Sequence, residues 1–266
     1  MHLKKLIVAA VFGLAGLAAF AGTCTITHIS LVETDGEHDT FAGQIDNGSG
    51  VNILNHNFLV AFLDANNNLV ETKTVPGCLR SLQDGTSDFF SSTSTEDSSD
   101  TSVGLARIAF DSAFKVGGVA DGDVSLSAVA ASRDGETLSV TGTIKNNDND
   151  TLVDPAVCVV VRDNDDNVLI TGKDTSISDL DEDETDTFSV AITVPDDDTA
   201  DTVDVWVDGL DGSSDDSPIA PASDLNNEID EGTATPTGTP ATSTPTGTPA
   251  TSTPTATATP TATPTP

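Results

Sequence analysis

The chain repeats itself. Displaced by about 99 residues, it falls back on its own sequence almost without gaps. Asp35-Gly36-Glu37 lands on Asp134-Gly135-Glu136, and Gly43-Gln44-Ile45-Asp46-Asn47 lands on Gly142-Thr143-Ile144-Lys145-Asn146. Val60, Asp64, Asn68 and Thr72 land on Val159, Asp163, Asn167 and Thr171, and Asp84, Thr86 and Phe89 on Asp183, Thr185 and Phe188. A register held over so many positions marks one structural unit built twice, and roughly 100 residues is the size of an ordinary domain.

Within each copy the apolar residues recur at period two. Ile26, His28, Ser30 and Val32 alternate with Thr27, Ile29 and Leu31, while Phe41, Gly43 and Ile45 alternate with polar neighbours, as do Val140, Gly142 and Ile144. Such alternation marks strands with one buried face. Phe58 to Leu63 and Val157 to Val161 are denser apolar runs, which suit a central strand with little solvent on either side. Asp64-Ala65-Asn66-Asn67-Asn68 and Asp163-Asn164-Asp165-Asp166-Asn167 follow them as hairpin turns, because Asp and Asn tolerate left-handed backbone and bond their own amides. Last strands are expected near Leu105 to Phe110 and near Val203 to Val207, and Ser91 to Ser102 is expected as a surface loop. No segment sustains a helical period, and about seven short strands per copy specify a β-sandwich.

The two ends read differently. Lys4-Lys5, an apolar stretch from Leu6 to Phe20 and small residues at Ala19 and Ala21 form a secretory signal pattern. Cys24 offers a competing lipidation reading, but Thr23 stands where that motif wants Gly, Ala or Ser. No other run is long enough to cross a bilayer as a helix. From Pro218 the alternation stops, and Thr235 to Ser243 repeats as Thr244 to Ser252. This Thr/Pro-rich composition cannot bury a core. The expected organisation is a signal peptide at 1–21, a first module at 22–115, a linker at 116–122, a second module at 123–217 and a disordered tail at 218–266.

A net charge of −33 opposes contact with nucleic acid or anionic lipid. Export implies an oxidising compartment, so two of the three cysteines can bridge. Cys24 and Cys78 lie in one module and are the expected pair, with Cys158 a buried thiol in its apolar strand, although sequence alone does not fix connectivity.

Val60-Ala61-Phe62-Leu63-Asp64, the Asp/Asn turn and the upstream Gly43-x-Ile45-x-Asn47 and Gly142-x-Ile144-x-Asn146 together resemble the FxLYD-type module of exported prokaryotic proteins and the related CARDB-like adhesion sandwich. The second copy departs at Val159-Val160-Val161-Arg162-Asp163, and neither copy carries the motif's Tyr. The resemblance implies an all-β chain of two tandem Ig-like antiparallel sandwiches with no catalytic residues.

Little in the sequence points to catalytic chemistry. His28, His38 and His56 lack metal-ligand spacing and are expected on the surface. No nucleophile elbow, phosphate loop or dinucleotide fingerprint occurs. The chain has no Tyr and a single Trp, Trp206, which either faces a ligand or packs. Asp163, Asp165 and Asn167 have the first three oxygen positions of a calcium loop, but Val168 and Asp174 replace its Gly and Glu, and the competing reading is an Asx hairpin. Asn47-Gly48-Ser49 and Asn149-Asp150-Thr151 are glycosylation sequons in matching loops. The expectation is a non-enzymatic, secreted or cell-surface interaction protein for a protein, matrix or envelope partner, without a cofactor. The alternative is a calcium- or small-ligand-binding module.

Overall fold

A strand that alternates at period two needs a second sheet to cover its apolar face, and each copy of the repeat supplies one. The computed structural model describes residues 23–33, 38–64, 66–95, 103–110, 115–194, 200–213 and 217–231. The signal-peptide reading of 1–21 and the Thr/Pro repeats beyond 231 lie outside these residues. The described residues are all-β, with no helix among them.

The first copy contributes β1 (Cys24–Glu33), β2 (Asp39–Asn47), β3 (Ile53–Leu54), β4 (Asn57–Asp64), β5 (Leu69–Pro76), β6 (Ser81–Leu82), β7 (Ser87–Thr93), β8 (Val103–Phe110) and β9 (Lys115–Val116). The second contributes β10 (Val124–Asp134), β11 (Thr137–Asn146), β12 (Leu152–Asp163), β13 (Val168–Asp174), β14 (Thr185–Thr193), β15 (Ala200–Asp211), β16 (Ser217–Pro218) and β17 (Ala222–Glu231). In the first sandwich the sheet β1-β2-β7 covers the sheet β5-β4-β8, and Phe41, Ile45, Phe58, Phe62, Phe90 and Ile108 fill the space between. In the second, β10-β11-β14 covers β13-β12-β15-β17 around Val140, Ile144, Val157, Val159, Val161 and Phe188. The expected Asp/Asn hairpins are present, joining β4 to β5 and β12 to β13.

The Gly-x-Ile-x-Asn motif is a framework device in both copies. Gly43 and Gly142 lie under the rings of Phe90 and Phe188, where any added Cβ would collide, so the structural counterpart of Phe188 is Phe90 and not the Phe89 that the sequence alignment paired with it. Asn47 is buried and donates to the carbonyls of Val51 and Leu82; Asn146 donates in the same way to Asp150 and Leu180. Each buried amide thus ties two loops to a strand end, satisfying carbonyls that would otherwise be buried unpaired. The structural partner of Asn47 is therefore Asn146 and not Asn149, so the two sequons do not occupy matching positions.

Several expectations need correction. Ser91 to Thr93 complete β7, and Ser94 is buried, so this part of the acidic Ser/Thr run is framework and not loop; residues 96–102 lie outside the described set. The linker is partly structured: Lys115–Val116 pair with β3, and Ala120 bridges to Ile219. The tail does not begin at Pro218. β17 runs from Ala222 to Glu231 between β15, to which it is antiparallel, and β10, to which it is parallel. Its polar composition hid it, because most of its length is a seam that pairs through backbone. β1, β10 and β17 also share a break in register beside one left-handed residue, His28, Ala128 and Asn226 respectively. Such a bulge turns the strand between two neighbouring sheets, and in β17 it lets one strand close the sandwich edge.

Ending the chain after residue 217 removes the strand that joins β15 to β10, so the second sandwich should lose its cooperative thermal transition. A chain ending at 232 should melt with the full-length protein. Circular dichroism on the two truncations distinguishes these outcomes.

Candidate functional site

β12 is buried along both faces, which one sandwich cannot accomplish. Val157, Val159 and Val161 point into the second core, whereas Cys158, Val160 and Arg162 point the other way, toward the first copy. There they meet the outer face of β1-β2-β7, with Ala42, Cys78, Leu79, Phe89, Cys158, Val160 and Val168 forming a third apolar cluster. The two sandwiches are stacked sheet on sheet across this junction.

Cys78 and Cys158 are joined by a disulfide at its centre, with a sequence separation of 80. This overturns the expected Cys24–Cys78 pair and the reading of Cys158 as a buried thiol. Cys24 is the free cysteine, half-buried on β1, where burial pushes its thiol up to about 11. Same-module membership misled because the loop that carries Cys78 faces outward from its own core, onto the neighbour. The backbone of that loop is fixed from the same side: Cys78 N–H donates to the Phe89 carbonyl at 2.9 Å, and Leu79 N–H to Asp88 Oδ1 at 2.8 Å.

Charged groups ring the disulfide. Arg162 donates from Nε to Asp204 Oδ2 at 2.6 Å, with both side chains almost wholly buried, and from Nη2 to Gln44 of the first sandwich at 3.1 Å. Its guanidinium lies 5.4 Å from the Phe89 ring centroid, and the Phe89 ring lies 5.5 Å from Trp206. Trp206 is therefore a packing residue of the junction. Arg80 donates its backbone N–H to Asp208 Oδ2 at 2.5 Å and reaches Asp154 Oδ2 at 2.9 Å through Nη2. Ser30 Oγ donates to the Val168 carbonyl, and Ser91 and Thr171 hydroxyls meet at 2.9 Å.

Beneath Gly77, His56 Nε2 and Asp88 Oδ2 are 2.5 Å apart with both side chains fully buried. A Cβ on Gly77 would strike both groups, which accounts for glycine there. His56 is thus interior, contrary to the surface placement expected for all three histidines. His28 remains partly exposed, 3.4 Å from Asp166 of the second sandwich. The His56–Asp88 pair has no opening to solvent, so its role is to hold the loop that carries Cys78.

The calcium-loop residues serve their own hairpin. Asp163 Oδ1 accepts the backbone N–H groups of Asp165 and Asn167 at 2.9 and 2.8 Å, and Asn167 Nδ2 donates to Asp163 Oδ2 at 3.0 Å. Asp64, Asn66 and Asn68 repeat this pattern in the first copy. Asp163 and Asn167 are turned toward each other and toward the turn amides, which is the Asx-turn arrangement. Among the described residues no group of three or more His, Cys, Asp or Glu side chains is placed to hold a metal ion.

No family profile matches the chain, and no curated protein matches it. Among solved structures it is similar to red sea bream transglutaminase, at 8% identity over 78% of this chain and 32% of that one, with a TM-score of 0.25. It is also similar to Bacteroides uniformis β-glucuronidase, at 13% identity over 74% of this chain and 27% of that one, TM-score 0.27. A third is the β-galacturonidase of Eisenbergiella tayi bound to galacturonate, at 10% identity over 73% and 36%, TM-score 0.23. The chain spans about a third of the length of these enzymes, and likeness at this level carries no argument about activity.

Asp208 is a buried carboxylate of the junction. Burial raises its pKa to about 6, opposed by the Arg80 hydrogen bond and by the charges of Lys173 and Arg80, and assisted by the charge of Asp88. The folded state therefore holds a proton that the unfolded state has released between about pH 4 and pH 6, and the contribution of this group to stability falls across that window as pH rises. A rise of about two pKa units corresponds to about 3 kcal/mol. Relative to D208N, wild type should thus lose about 2 kcal/mol between pH 4 and pH 7 in paired urea titrations. Replacing Cys78 and Cys158 together with Ala should cost roughly 4 kcal/mol, the loop-closure value for a ring of this size, read from the shift in urea midpoint.

Proposed function

We propose that this chain is a non-catalytic exported protein that acts by surface contact, its two sandwiches working as one rigid body. The observation that carries this reading is the filled junction. Two-domain enzymes commonly hold their cleft between domains, and here that space is occupied by the Cys78–Cys158 disulfide, the Phe89–Trp206 rings and the Arg162–Asp204 pair. A concavity elsewhere, lined by Asp123, Asn146, Asp150 and Leu210, has room for about one water molecule. A structural disulfide fits the oxidising compartment that the signal pattern implies, and the partner class that follows is a protein or an envelope polymer outside the cell.

Folded protein incubated with panels of glycoside, ester and peptide substrates should stay at the buffer rate. Turnover that co-elutes with the protein and vanishes on its unfolding overturns the proposal. Tagged protein should retain a component of the envelope from its own source. Addition of millimolar calcium should leave the melting temperature unchanged beyond the effect of ionic strength. A calcium-specific rise that D163A abolishes would favour ion binding instead, because a ligand selective for the folded state stabilises it.

A further inference from the structure

The sheets stack in a fixed sense. The β4 side of one sandwich type faces outward from the first copy, and the equivalent β12 side of the second copy is the face buried in the junction. Register makes the equivalence residue by residue. Leu59 pairs with Thr74 and Ala109 as Cys158 pairs with Lys173 and Trp206. Ala61 pairs with Thr72 and Arg107 as Val160 pairs with Thr171 and Asp204. The first copy's face is uncovered among the described residues: Leu59 is 43% exposed and Leu69 62%. At the opposite end, the outer face of β10-β11-β14 is the counterpart of the β1-β2-β7 face that receives the second sandwich. Thr141 holds the place of Ala42, pairing with Ala130 and Ser189 as Ala42 pairs with Ser30 and Ser91. Ser127, Thr143 and Thr187 complete a flat row of small side chains there.

We propose that these two ends fit each other, so that copies of this chain assemble head to tail, the Thr141 face of one on the Leu59 face of the next. The proposal names one partner for the contact role above and rests on that reading. Continuity with the existing junction is the first argument: the packing that sets the second sandwich on the first, applied once more, sets a second molecule on the first. Charge is the second. In a chain with 43 acidic residues, the outward positions Leu59, Ala61, Leu69, Thr72, Thr74 and Arg107 include no carboxylate. On the receiving face the nearby Lys145 is already paired with Asp183. Interface centres are depleted of charge, whereas exposed surfaces of an acidic protein are not. Among the described residues of its face Arg107 is the one cation, and the Thr and Ser hydroxyls opposite are acceptors for it. Because Leu59 replaces Cys158, the contact is non-covalent and reversible. Because the two faces differ, it is heterologous and open-ended. Net charge opposes it in dilute buffer, and screening releases it at high salt.

Sedimentation velocity on the full chain over a concentration series, in dilute buffer and in about 1 M NaCl, tests this. In high salt the average mass should climb past that of a dimer with concentration. L59D and T141D, each confirmed to melt with wild type, should each abolish the climb. An equimolar mixture of the two should stop at a dimer, since each variant retains one intact face. Monomer at every concentration and salt overturns the proposal, and retention of an envelope component in that case leaves the contact role standing. A wild-type assembly that ends at two copies, or one that survives either substitution, also overturns it.

Discussion

The double-sided burial of β12 is the constraint on which the rest depends. A strand that presents Val157, Val159 and Val161 to one core and Cys158, Val160 and Arg162 to another must have a sheet on each side. The second sheet on its own side comes from β10, β11 and β14; the sheet on the other side belongs to the first copy. Once the first copy sits there, polar groups at the contact lose water, and most are partnered within the junction, although Trp206 Nε1, Arg80 Nε and Asp208 Oδ1 make no hydrogen bond. Arg162 takes Asp204 and Gln44, and Arg80 takes Asp208 and Asp154. The cost is visible at Asp208, whose carboxyl is held above its ordinary range because its surroundings desolvate it more than Arg80 and Lys173 compensate.

Duplication explains why the junction looks as it does. Both copies possess the same pair of outer faces, but the residues on them have diverged. Where the second copy has Cys158, Val160 and Trp206, the first has Leu59, Ala61 and Ala109; where the first has Ala42 and Phe89 at the contact, the second has Thr141 and Thr187. Val160, Trp206 and Phe89 at the contact are bulkier than Ala61, Ala109 and Thr187, and Cys158 carries the disulfide where the first copy has Leu59. The outward versions are aliphatic on the first copy and hydroxylated on the second, and neither set includes the carboxylates found over the rest of the chain. Most of the framework, by contrast, is unchanged between copies: the glycine under a phenylalanine ring, the asparagine that ties two loops, and the Asx hairpin recur.

Local features were legible in the sequence because their causes are local. Period-two alternation, the Asp/Asn hairpins, the dense central strands and the all-β class follow from side-chain direction and turn chemistry within a few residues. The repeat carried these readings from one copy to the other. β17 escaped because it pairs on both edges through backbone, which leaves little apolar signature. His56 and Asp88 escaped because they lie 32 residues apart, and no spacing rule brings a lone histidine to a lone carboxylate. Arg162 did leave a signal, a single cation at the end of an apolar run, in a chain with only 10 Lys and Arg; a charge in such a run calls for a buried partner.

Sequence by itself determined that this chain forms duplicated antiparallel sandwiches, since strand, turn and core are specified by alternation and by residues near one another along the chain. Only the tertiary structure decided which faces meet, that Cys78 joins Cys158 and leaves Cys24 free, and that Ala222–Glu231 closes the second sandwich. These are choices among surfaces and partners distant in sequence, fixed by the fit of whole sheets, and no local pattern encodes that fit.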